Sequence, residues 1–420
     1  MSNRLSHFTR CVAATCVAAA TALGGATVAI TTAPLAVAQE YPTADPAKPA
    51  TLTLEQYGKD PLKEGPTQRW RQMIGGLATN GDGQYILDAE GKAKFNAGSS
   101  PAMQEKGVYV YQATSPAMDG RKVPLVVIKA KSENRPTLYI LNGGDGGEGA
   151  ANWIMQTPAL EYYLSKNINV VIPMSGQFSY YSDWVNVPAN TALGGKQMWE
   201  TFMIKELPGV IEKDVLKANG KRAITGMSMS ATTVLLYAQH HPGFYGAIGS
   251  FSGCAQTNTG MGKIAMDLTL QRAKSNINEM WGTGGAFQPG WSTEPIQNYL
   301  AYNDALINAD KLKGQTMYIS NGSGLSGRWD FWSSPRTQGN SLAMGEVQVT
   351  GGIIEASTNL CTHDLKAKLD KAGIPADWNF HATGTHQWGY WTDDMYQSWP
   401  TLARGMGISN EVAPAETEAA

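Results

Sequence analysis

The chain has 420 residues, of which 42 % are hydrophobic, and its 33 basic and 35 acidic side chains leave a formal charge of −2. This length and apolar fraction are enough for a large folded core, which excludes a disordered or fibrous protein. The balance of charge lacks the basic surface that nucleic acid binding requires, and no basic run indicates an anionic membrane surface. We therefore expect neutral partners and no nucleic acid.

The first 38 residues have the composition of a secretory signal. Arg4 and Arg10 precede a long stretch rich in Ala, Val and Thr, and the small residues Ala36 and Ala38 stand just before the polar sequence QEYPTADPAKPA. This order is typical of a cleaved signal peptide, so residues 1–38 are predicted to be removed and the mature chain to be exported. A retained membrane anchor is the alternative, since the stretch is long enough to span a bilayer.

Two of the four cysteines, Cys11 and Cys16, lie in this signal, which leaves Cys254 and Cys361 in the mature chain. An exported protein more often bridges such a pair than leaves both thiols free. The sequence does not tell how far apart the two Cα atoms are, so a disulfide and two free thiols are both open at this point.

Residues 39–105 differ in composition from the rest of the mature chain. They are rich in Pro, Lys, Gly and Asn and contain one helical pattern, PTQRWRQMIGGLA, so we interpret them as an N-terminal extension outside the regular sheet. Residues 403–420 end in EVAPAETEAA, a composition typical of a disordered tail. The main folded domain is predicted to span residues 106–402.

Between these segments, strand-like and helix-like patterns alternate. GVYVYQATS, KVPLVVIKA, TLYILNGG, INVVIPMSG and RAITGMSMS are short apolar or β-branched runs, whereas TPALEYYLSKN and WETFMIKELPGVIEKDVLKANG have helical patterns. This alternation predicts the α/β class, with a mostly parallel central sheet and helices on both faces. A helical and loop insertion follows, and the alternation then resumes with QTMYISNGSG, GGIIEASTNLCTHDLKAKLDKAG and ADWNFHATG.

The stretch AITGMSMSATT places Ser228 where a strand pattern gives way to a helix pattern. α/β-Hydrolases put their nucleophile on such a turn and need small residues two positions before and after it, usually as GxSxG. Here Gly226 and Ser230 fill those positions. The motif predicts Ser228 as a nucleophile, and the alternative is a serine that only caps the following helix.

A serine nucleophile needs a base and an acid that orients the base, and in this fold they follow in the order Ser, acid, His. His386, in ATGTHQWGYW, lies just past the last strand pattern, where a mobile base is expected, although a surface-loop histidine is the alternative. Glu355, near the start of the helix pattern after VTGG, is the predicted acid. Its rivals are Glu346, Asp330 and Asp364.

Stabilisation of an oxyanion requires two backbone N–H groups, one from the residue after the nucleophile and one from a loop after an early strand. Met229 is the first donor, and YILNGGDGGEG provides the loop. The glycines of this loop allow the main chain to approach a ligand closely. Gly144 is the expected second donor, and a merely flexible glycine loop is the alternative.

Five stretches, in the same order, resemble segments of the mycolyltransferases of the antigen 85 family, which are secreted α/β-hydrolase enzymes. They are EYYLSKNINVVIPMSGQFSYYSDW, WETFMIKELP, GMSMSATTVLLYAQHHP, the MWG at 280–282 and GTHQWGYW. The resemblance covers roughly residues 107–400 and implies a serine acyltransferase with an α/β-hydrolase fold. No cofactor and no metal are expected.

The resemblance carries over position by position. Ser228, Glu355 and His386 match the family's nucleophile, acid and base, and the remaining matches are Gly144 and Met229 for the oxyanion amides and Trp388 for the sugar site.

The loop after the early strand departs from the family. The family has an acid and an arginine there, which hold the trehalose head group, where this chain has Asn142 and Asp145. An aspartate in place of arginine removes a donor and reverses the charge, so we expect an altered acceptor site. Asn142, Asp145 and Trp388 are the predicted substrate-binding residues.

The activity that the resemblance implies is transfer of a mycolyl group from trehalose monomycolate through an acyl-enzyme on Ser228. The expected acceptors are a second trehalose monomycolate, the arabinan of cell-wall arabinogalactan or a protein hydroxyl. The extension at 39–105 resembles the corynebacterial branch, whose acyl chains are shorter. We therefore expect a secreted, monomeric enzyme of the cell envelope with trehalose mycolate glycolipids as partners. Two alternatives are a mycolyl ester hydrolase and a non-catalytic secreted relative that binds carbohydrate or matrix.

Overall fold

The computed structural model describes residues 48–58, 68–282, 299–337 and 339–409. The predicted signal peptide at 1–38 and the end of the predicted tail lie outside these ranges. In the part of the chain that is described, no helix combines the length and the apolar character needed to cross a bilayer.

Within these ranges, nine strands form one sheet in the order β1-β2-β3-β5-β4-β6-β7-β8-β9. The strands are β1 (Thr51–Leu54), β2 (Val108–Ser115), β3 (Arg121–Ile128), β4 (Thr137–Leu141), β5 (Asn169–Pro173), β6 (Arg222–Met227), β7 (Ala247–Phe251), β8 (Thr316–Asn321) and β9 (Asp377–Phe380). The first four strands of the sheet order pair antiparallel, and β5, β4, β6, β7, β8 and β9 run parallel. The predicted α/β-hydrolase fold is confirmed.

Most helices lie between these strands in sequence, and two follow the last strand. They are α1 (Arg71–Ile74), α2 (Pro101–Glu105), α3 (Trp153–Gln156), α4 (Ala159–Leu164), α5 (199–216), α6 (Met229–His240), α7 (Gly260–Gln271), α8 (Ile277–Trp281), α9 (Ser341–Gly345), α10 (Gly352–Ala372), α11 (Trp388–Gln397) and α12 (Trp399–Gly405). Helix α5 alternates α-helical with π-helical turns, and a π-helical turn at Glu346–Gly351 leads into α10. Because α12 runs to Gly405, the predicted tail cannot begin at residue 403.

Two hydrophobic cores lie on the two faces of the sheet. Leu125 and Val127 of β3 belong to one core, which also takes in side chains of α5 and α6. Val126 and Ile128 belong to the other, together with side chains of α3 and α12. Successive side chains of a strand point to opposite faces, so a sheet covered on both sides buries every residue. This explains why the central strands appear in the sequence as continuous apolar runs.

Part of the N-terminal extension belongs to the sheet. Strand β1 pairs antiparallel with β2, and Trp70 is fully buried in the second core. The buried Arg71 guanidinium binds the Glu55 carboxylate, and its Nε donates to Gln68 Oε1 at 2.6 Å. The interpretation of residues 39–105 as lying outside the sheet is therefore wrong for β1, because a mostly exposed edge strand of four residues carries no clear apolar pattern.

Candidate active site

The site is built where β6 turns into α6. Ser228 stands between the two elements with φ 56° and ψ −121°, a conformation that residues other than glycine rarely adopt. Its N–H donates to the carbonyl of Phe251 at 2.8 Å, which holds the turn against β7. The Ser228 side chain makes no capping hydrogen bond to the helix. The alternative of an ordinary helix cap therefore does not hold.

Both small positions around Ser228 are needed. A Cβ on Gly226 would lie 2.6 Å from the carbonyl oxygen and from Oγ of Ser230, much closer than real Cβ contacts. Ser230 is fully buried, and its Oγ accepts from Met227 N at 3.0 Å and lies 3.3 Å from the carbonyl of Leu141. The serine that replaces the usual glycine thus ties the turn to the end of β4.

Ser228, His386 and Glu355 form one hydrogen-bonded line. His386 Nε2 lies 2.7 Å from Ser228 Oγ, and His386 Nδ1 lies 2.7 Å from Glu355 Oε2. Because an ionised carboxylate only accepts, Nδ1 carries the ring proton and Nε2 is free to accept the serine proton. The fold brings the three predicted residues together from the β6–α6 turn, the first turns of α10 and the loop after β9. This is the order and geometry of a nucleophile, a base and an orienting acid.

The Glu355 carboxylate is almost completely buried. Its second oxygen, Oε1, accepts from Ser252 Oγ at 2.7 Å, Asn321 Nδ2 at 2.9 Å and Gly322 N at 2.6 Å. Three donors on one oxygen satisfy a carboxylate that has lost its water, and they fix Oε2 toward the histidine. Ser252 also accepts a hydrogen bond of 2.9 Å from the Trp391 indole.

The rival acids do not contact the histidine. Asp330 is buried, and it accepts from side chains on both sides of His386 in sequence: Thr385, Gln387 and Tyr390. It therefore fixes the loop that carries the base. The Asp364 carboxylate accepts a hydrogen bond from the Gln256 side chain instead, and Glu346 is exposed.

Sequence reasoning missed Ser252 and Asn321, which support the acid, and it named Asp330 only as a rival acid, not as the residue that supports the loop of the base. Ser252 follows β7 directly, Asn321 ends β8, and Asp330 lies in the segment after β8. The available signal was a polar residue at the carboxyl end of a buried parallel strand, since ligands and sites in open α/β sheets collect at that edge.

The two predicted oxyanion donors lie at the ends of neighbouring strands. Strands β4 and β6 run parallel with Leu141 opposite Gly226, and Gly144 and Met229 each come three residues after this pair, at the same edge of the sheet. Within the described ranges, neither N–H group donates to a protein acceptor. The glycine loop is held in place by Phe178, whose N–H donates to the Gly144 carbonyl at 2.7 Å. Both N–H groups are therefore available, as the prediction requires.

Asn142 is fully buried beneath the glycine loop rather than exposed to a substrate. Its Nδ2 donates to the carbonyl of Pro173 at 3.0 Å, and its Oδ1 accepts from the N–H of Trp153 at 3.1 Å. This placement differs from the predicted contact with substrate. The reason is that the first residue after a buried strand must satisfy the polar groups of the chain that turns away there.

Asp145 is folded into its own loop. Its carboxylate accepts from the backbone N–H groups of Gly147 at 2.9 Å and Ala151 at 3.2 Å. Burial raises the pKa of Asp145 and outweighs these hydrogen bonds, which lower it. Asp145 therefore shapes the loop, and its oxygens have other partners than a substrate.

Trp388 belongs to an aromatic wall beside His386. The Trp391 ring packs edge-on against His386 and Trp388, with ring centroids 4.9 and 5.2 Å apart, and Trp388 packs edge-on against Trp153 at 5.4 Å. Trp388 is partly exposed. The wall extends from His386 to helix α3, which follows the glycine loop. A ligand ring that has an apolar face, such as a sugar ring, can pack against these indoles.

Cys254 and Cys361 form a disulfide, with Cα atoms 5.0 Å apart and a separation of 107 positions in sequence. Of the two open alternatives, the structure has the bridge. It joins the segment after β7, which includes Ser252, to helix α10, which carries Glu355. In the described ranges, no cluster of His, Cys, Asp and Glu has the arrangement of a metal site.

Comparisons with known proteins show which family the chain is related to. The model of the family described as Putative esterase matches residues 115–402. The diacylglycerol acyltransferase/mycolyltransferase Ag85A of Mycobacterium gordonae is 30 % identical over 354 residues, which cover 83 % of this chain and 95 % of that protein. Ag85A of Mycobacterium ulcerans is 28 % identical over 342 residues, which cover 81 % of this chain and 93 % of that protein.

One solved structure supports the same fold. Mycobacterium tuberculosis MPT51 (FbpC1) superposes with a TM-score of 0.52 and 20 % identity, over 71 % of this chain and 96 % of that chain, a likeness that concerns the fold alone. The family match and the Ag85A relatives confirm the resemblance found in the sequence. The chain belongs to the esterase family and, within it, to the antigen 85-like mycolyltransferases, and it is an enzyme of the serine acyltransferase type.

Proposed function

We propose that the protein transfers a mycolyl group, of the short corynomycolyl kind, from trehalose monomycolate to a second hydroxyl through an acyl-enzyme on Ser228. The observation that carries this proposal is the line from Glu355 through His386 to Ser228, with the free N–H groups of Gly144 and Met229 beside it. The names of the relatives support mycolyl as the acyl group.

In the first half-reaction, Ser228 Oγ attacks the ester carbonyl carbon while His386 Nε2 accepts the hydroxyl proton. The carbonyl oxygen becomes an oxyanion, and N–H donors at the two strand ends stabilise its charge. When the tetrahedral intermediate collapses, the bond to the sugar oxygen breaks and His386 gives the proton to that oxygen. Glu355 holds the imidazole and stabilises its cationic form throughout this step.

In the second half-reaction, an acceptor hydroxyl gives its proton to His386 and attacks the carbonyl carbon of the acyl-enzyme. When this second tetrahedral intermediate collapses, the ester bond to Ser228 Oγ breaks and His386 returns the proton to Ser228. A second trehalose monomycolate, the arabinan of arabinogalactan and a protein hydroxyl are the acceptors that fit this step, and trehalose mycolates are the proposed partners. The aromatic wall at Trp388 supports a sugar acceptor, since a bound sugar would displace water from the acyl-enzyme. Water in the same place would give a mycolyl ester hydrolase.

Export to the cell envelope is part of the proposal. The signal-like composition of residues 1–38 supports it, and the Cys254–Cys361 disulfide fits an oxidising compartment. The intact line from Glu355 to Ser228 argues against a non-catalytic secreted relative.

Product analysis tests the proposal. The mature protein is incubated with a fluorescent trehalose monoacyl ester at rising concentrations of isotope-labelled free trehalose, which distinguishes new esters from the donor by mass, with Ser228→Ala as the control. We expect the labelled acyl chain to appear in new trehalose esters, and the yield of free acid to fall as acceptor is added. Free acid as the sole product at every trehalose concentration would show a hydrolase, and no turnover would reject the proposal.

A further inference from the structure

Arg336 lies at the edge of the site, in the segment that joins β8 to α9. Its Nη1 donates to Gln156 Oε1 at 3.3 Å, and its Nη2 donates to Thr392 Oγ1 at 3.3 Å. Gln156 ends helix α3 after the glycine loop, and Thr392 lies on α11, which begins two residues after His386. The guanidinium therefore bridges the glycine-loop side and the histidine side of the site.

This guanidinium has no carboxylate partner within the described ranges. Burial lowers the pKa of Arg336, an effect that the charge of Asp393 partly offsets. The Asp393 carboxylate is bound instead by Arg328 at 2.7 Å and by the Trp329 indole at 2.9 Å. A guanidinium has five N–H donors, and only two of them make hydrogen bonds here, both long and both to neutral oxygens. A partly dehydrated cation with unused donors is matched to a ligand that supplies acceptor oxygens.

The two groups that accept hydrogen bonds from Arg336 are neutral and well fixed. Gln156 Nε2 donates to the carbonyl of Ala150 at 3.1 Å, which turns Oε1 toward the guanidinium. The Thr392 hydroxyl donates to the carbonyl of Trp388 at 2.8 Å, so its lone pairs face Arg336. The partly exposed Trp388 indole lies one helical turn away on α11.

These groups favour a polyhydroxyl ligand over an anion. Hydroxyl groups both accept from a guanidinium and donate to an amide oxygen, and the apolar face of a sugar ring packs on an indole. An anion would meet the amide oxygen of Gln156 and the negative field of Asp393. The Asp145 carboxylate is engaged by backbone N–H groups of the glycine loop, whereas the guanidinium of Arg336 has unused donors.

We propose that Arg336, Gln156 and Trp388 form a subsite that binds the sugar head group of the acyl donor or acceptor. The choice of a sugar as the ligand rests on the proposed function. Arg336 is a substrate-binding residue in this account, and it comes from the segment after β8 rather than from the glycine loop.

Binding of free trehalose tests the subsite without any turnover. Affinity is measured by NMR titration of the full mature chain, its Arg336→Met and Arg336→Lys variants, and Arg328→Met as the matched control. Arg328→Met removes the same charge from the same segment, at a side chain that is 68 % exposed. We expect wild type and Arg328→Met to bind equally, Arg336→Met to lose about tenfold or more in affinity, and Arg336→Lys to lie between them.

Several results would overturn the proposal. They are equal affinity of wild type and Arg336→Met, no detectable trehalose binding to wild type, or saturable binding of sulfate in place of trehalose. Thermal unfolding of each variant shows whether it is folded, and Gln156→Leu provides a second variant that is expected to weaken binding in the same direction. Since binding needs no reaction at Ser228, a wild type that binds trehalose but transfers no acyl group rejects the proposed function and leaves the subsite standing.

Discussion

The backbone of Ser228, with φ 56° and ψ −121°, keeps its hydroxyl pointed at His386 instead of at the N-terminus of α6. Residues held in such conformations cost about 1–3 kcal/mol of stability each, and the surrounding structure must impose them. The hydrogen bond from Ser228 N–H to Phe251 and the packing of Ser230 against β4 impose this one. Reactivity and stability are therefore opposed at this residue.

Replacement of Ser228 separates the two effects. Ser228→Gly and Ser228→Ala both remove the hydroxyl and the bond to His386, but only glycine relaxes the strained conformation. Glycine also adds about 0.5–1 kcal/mol of unfolded-chain entropy, so we expect Ser228→Gly to exceed Ser228→Ala in free energy of unfolding by about 1 kcal/mol. Urea unfolding of both variants measures this difference, and a less stable Ser228→Gly would show that the turn is not strained.

Asp183 makes the stability of the protein depend on pH. Burial and the charge of Glu200 raise the pKa of Asp183 to about 7, although hydrogen bonds from Thr201 lower it. The folded protein therefore keeps a proton that the unfolded chain releases near its ordinary value of 3.8. The free energy of unfolding consequently falls as the pH rises from about 4 to about 7, by on the order of 4 kcal/mol if no other group responds.

Asp183→Asn removes this titration. The amide keeps an acceptor for the Thr201 N–H, which lies 3.1 Å from Asp183 Oδ1, so the variant should remain folded. We expect its free energy of unfolding to be flatter between pH 5 and pH 8 than that of wild type, and to be higher at pH 8. Urea titrations at the two pH values provide the comparison. The same decrease in both proteins would place the titrating group elsewhere.

At the scale of elements, the β6–α6 turn depends on a close approach that only glycine permits. In Gly226→Ala, the added methyl group would meet Ser230 at 2.6 Å, so β6 and α6 must move apart. We expect a loss of about 1–3 kcal/mol in stability and a loss of acyl transfer.

Gly345→Ala is the matched control, because Gly345 has φ −61° and nothing within 4 Å of an added Cβ. It should be as active as wild type and more stable by about 0.5–1 kcal/mol. Thermal unfolding and turnover of the two variants are compared directly. If both lose stability alike, the crowding at Gly226 is not what limits the turn.

The disulfide stabilises helix α10 as well as the whole fold. In the chain-entropy account, a bridge that closes a loop of about 100 residues raises the free energy of the unfolded chain by up to about 4.7 kcal/mol, because it removes conformational entropy. Cys254→Ala combined with Cys361→Ala should therefore lower the melting temperature. Because Cys361 and Glu355 share α10, we also expect a lower kcat with little change in KM. Unchanged kcat in the folded variant would show that the other contacts of Glu355 position it alone.

Elements with a long or strongly apolar pattern could be predicted from the sequence. Helix α10 and the strands around Ser228 lie where the sequence patterns place them. Most of their buried residues are apolar and follow one another in a pattern that is visible in the local sequence. Strand β1 could not be predicted, since its pairing with β2 depends on residues about 60 positions away and its own side chains are mostly exposed.

At the scale of the whole molecule, the parallel strands bring distant residues to one edge of the sheet. The motif at Ser228, the order of acid and base after it and the family resemblance together predicted that Ser228, Glu355 and His386 meet there. Contacts without a local pattern were not predictable: Arg336 reaches Gln156 across 180 residues. The roles of Asn142 and Asp145 also depend on burial, which the sequence of a glycine-rich loop does not reveal.

The N-terminal extension also contacts the loops that form the site. The N–H of Gln68 donates to the carbonyl of Glu148 in the glycine loop at 2.5 Å, and the Glu148 carboxylate accepts from Ser175 Oγ at 3.0 Å. The buried Arg71 and Glu55 hold Gln68 in position. Residues from before the main domain thus support the loop that carries the predicted oxyanion donor.

The most direct test of the account is mass analysis of the peptide that contains Ser228. The mature protein is mixed briefly with a trehalose monoacyl ester without added acceptor, quenched in acid and digested, with Ser228→Ala treated in parallel. The account predicts that the peptide with Ser228 gains the mass of one acyl group in wild type and that the variant gains none. No adduct in wild type, or an equal adduct in the variant, would contradict it.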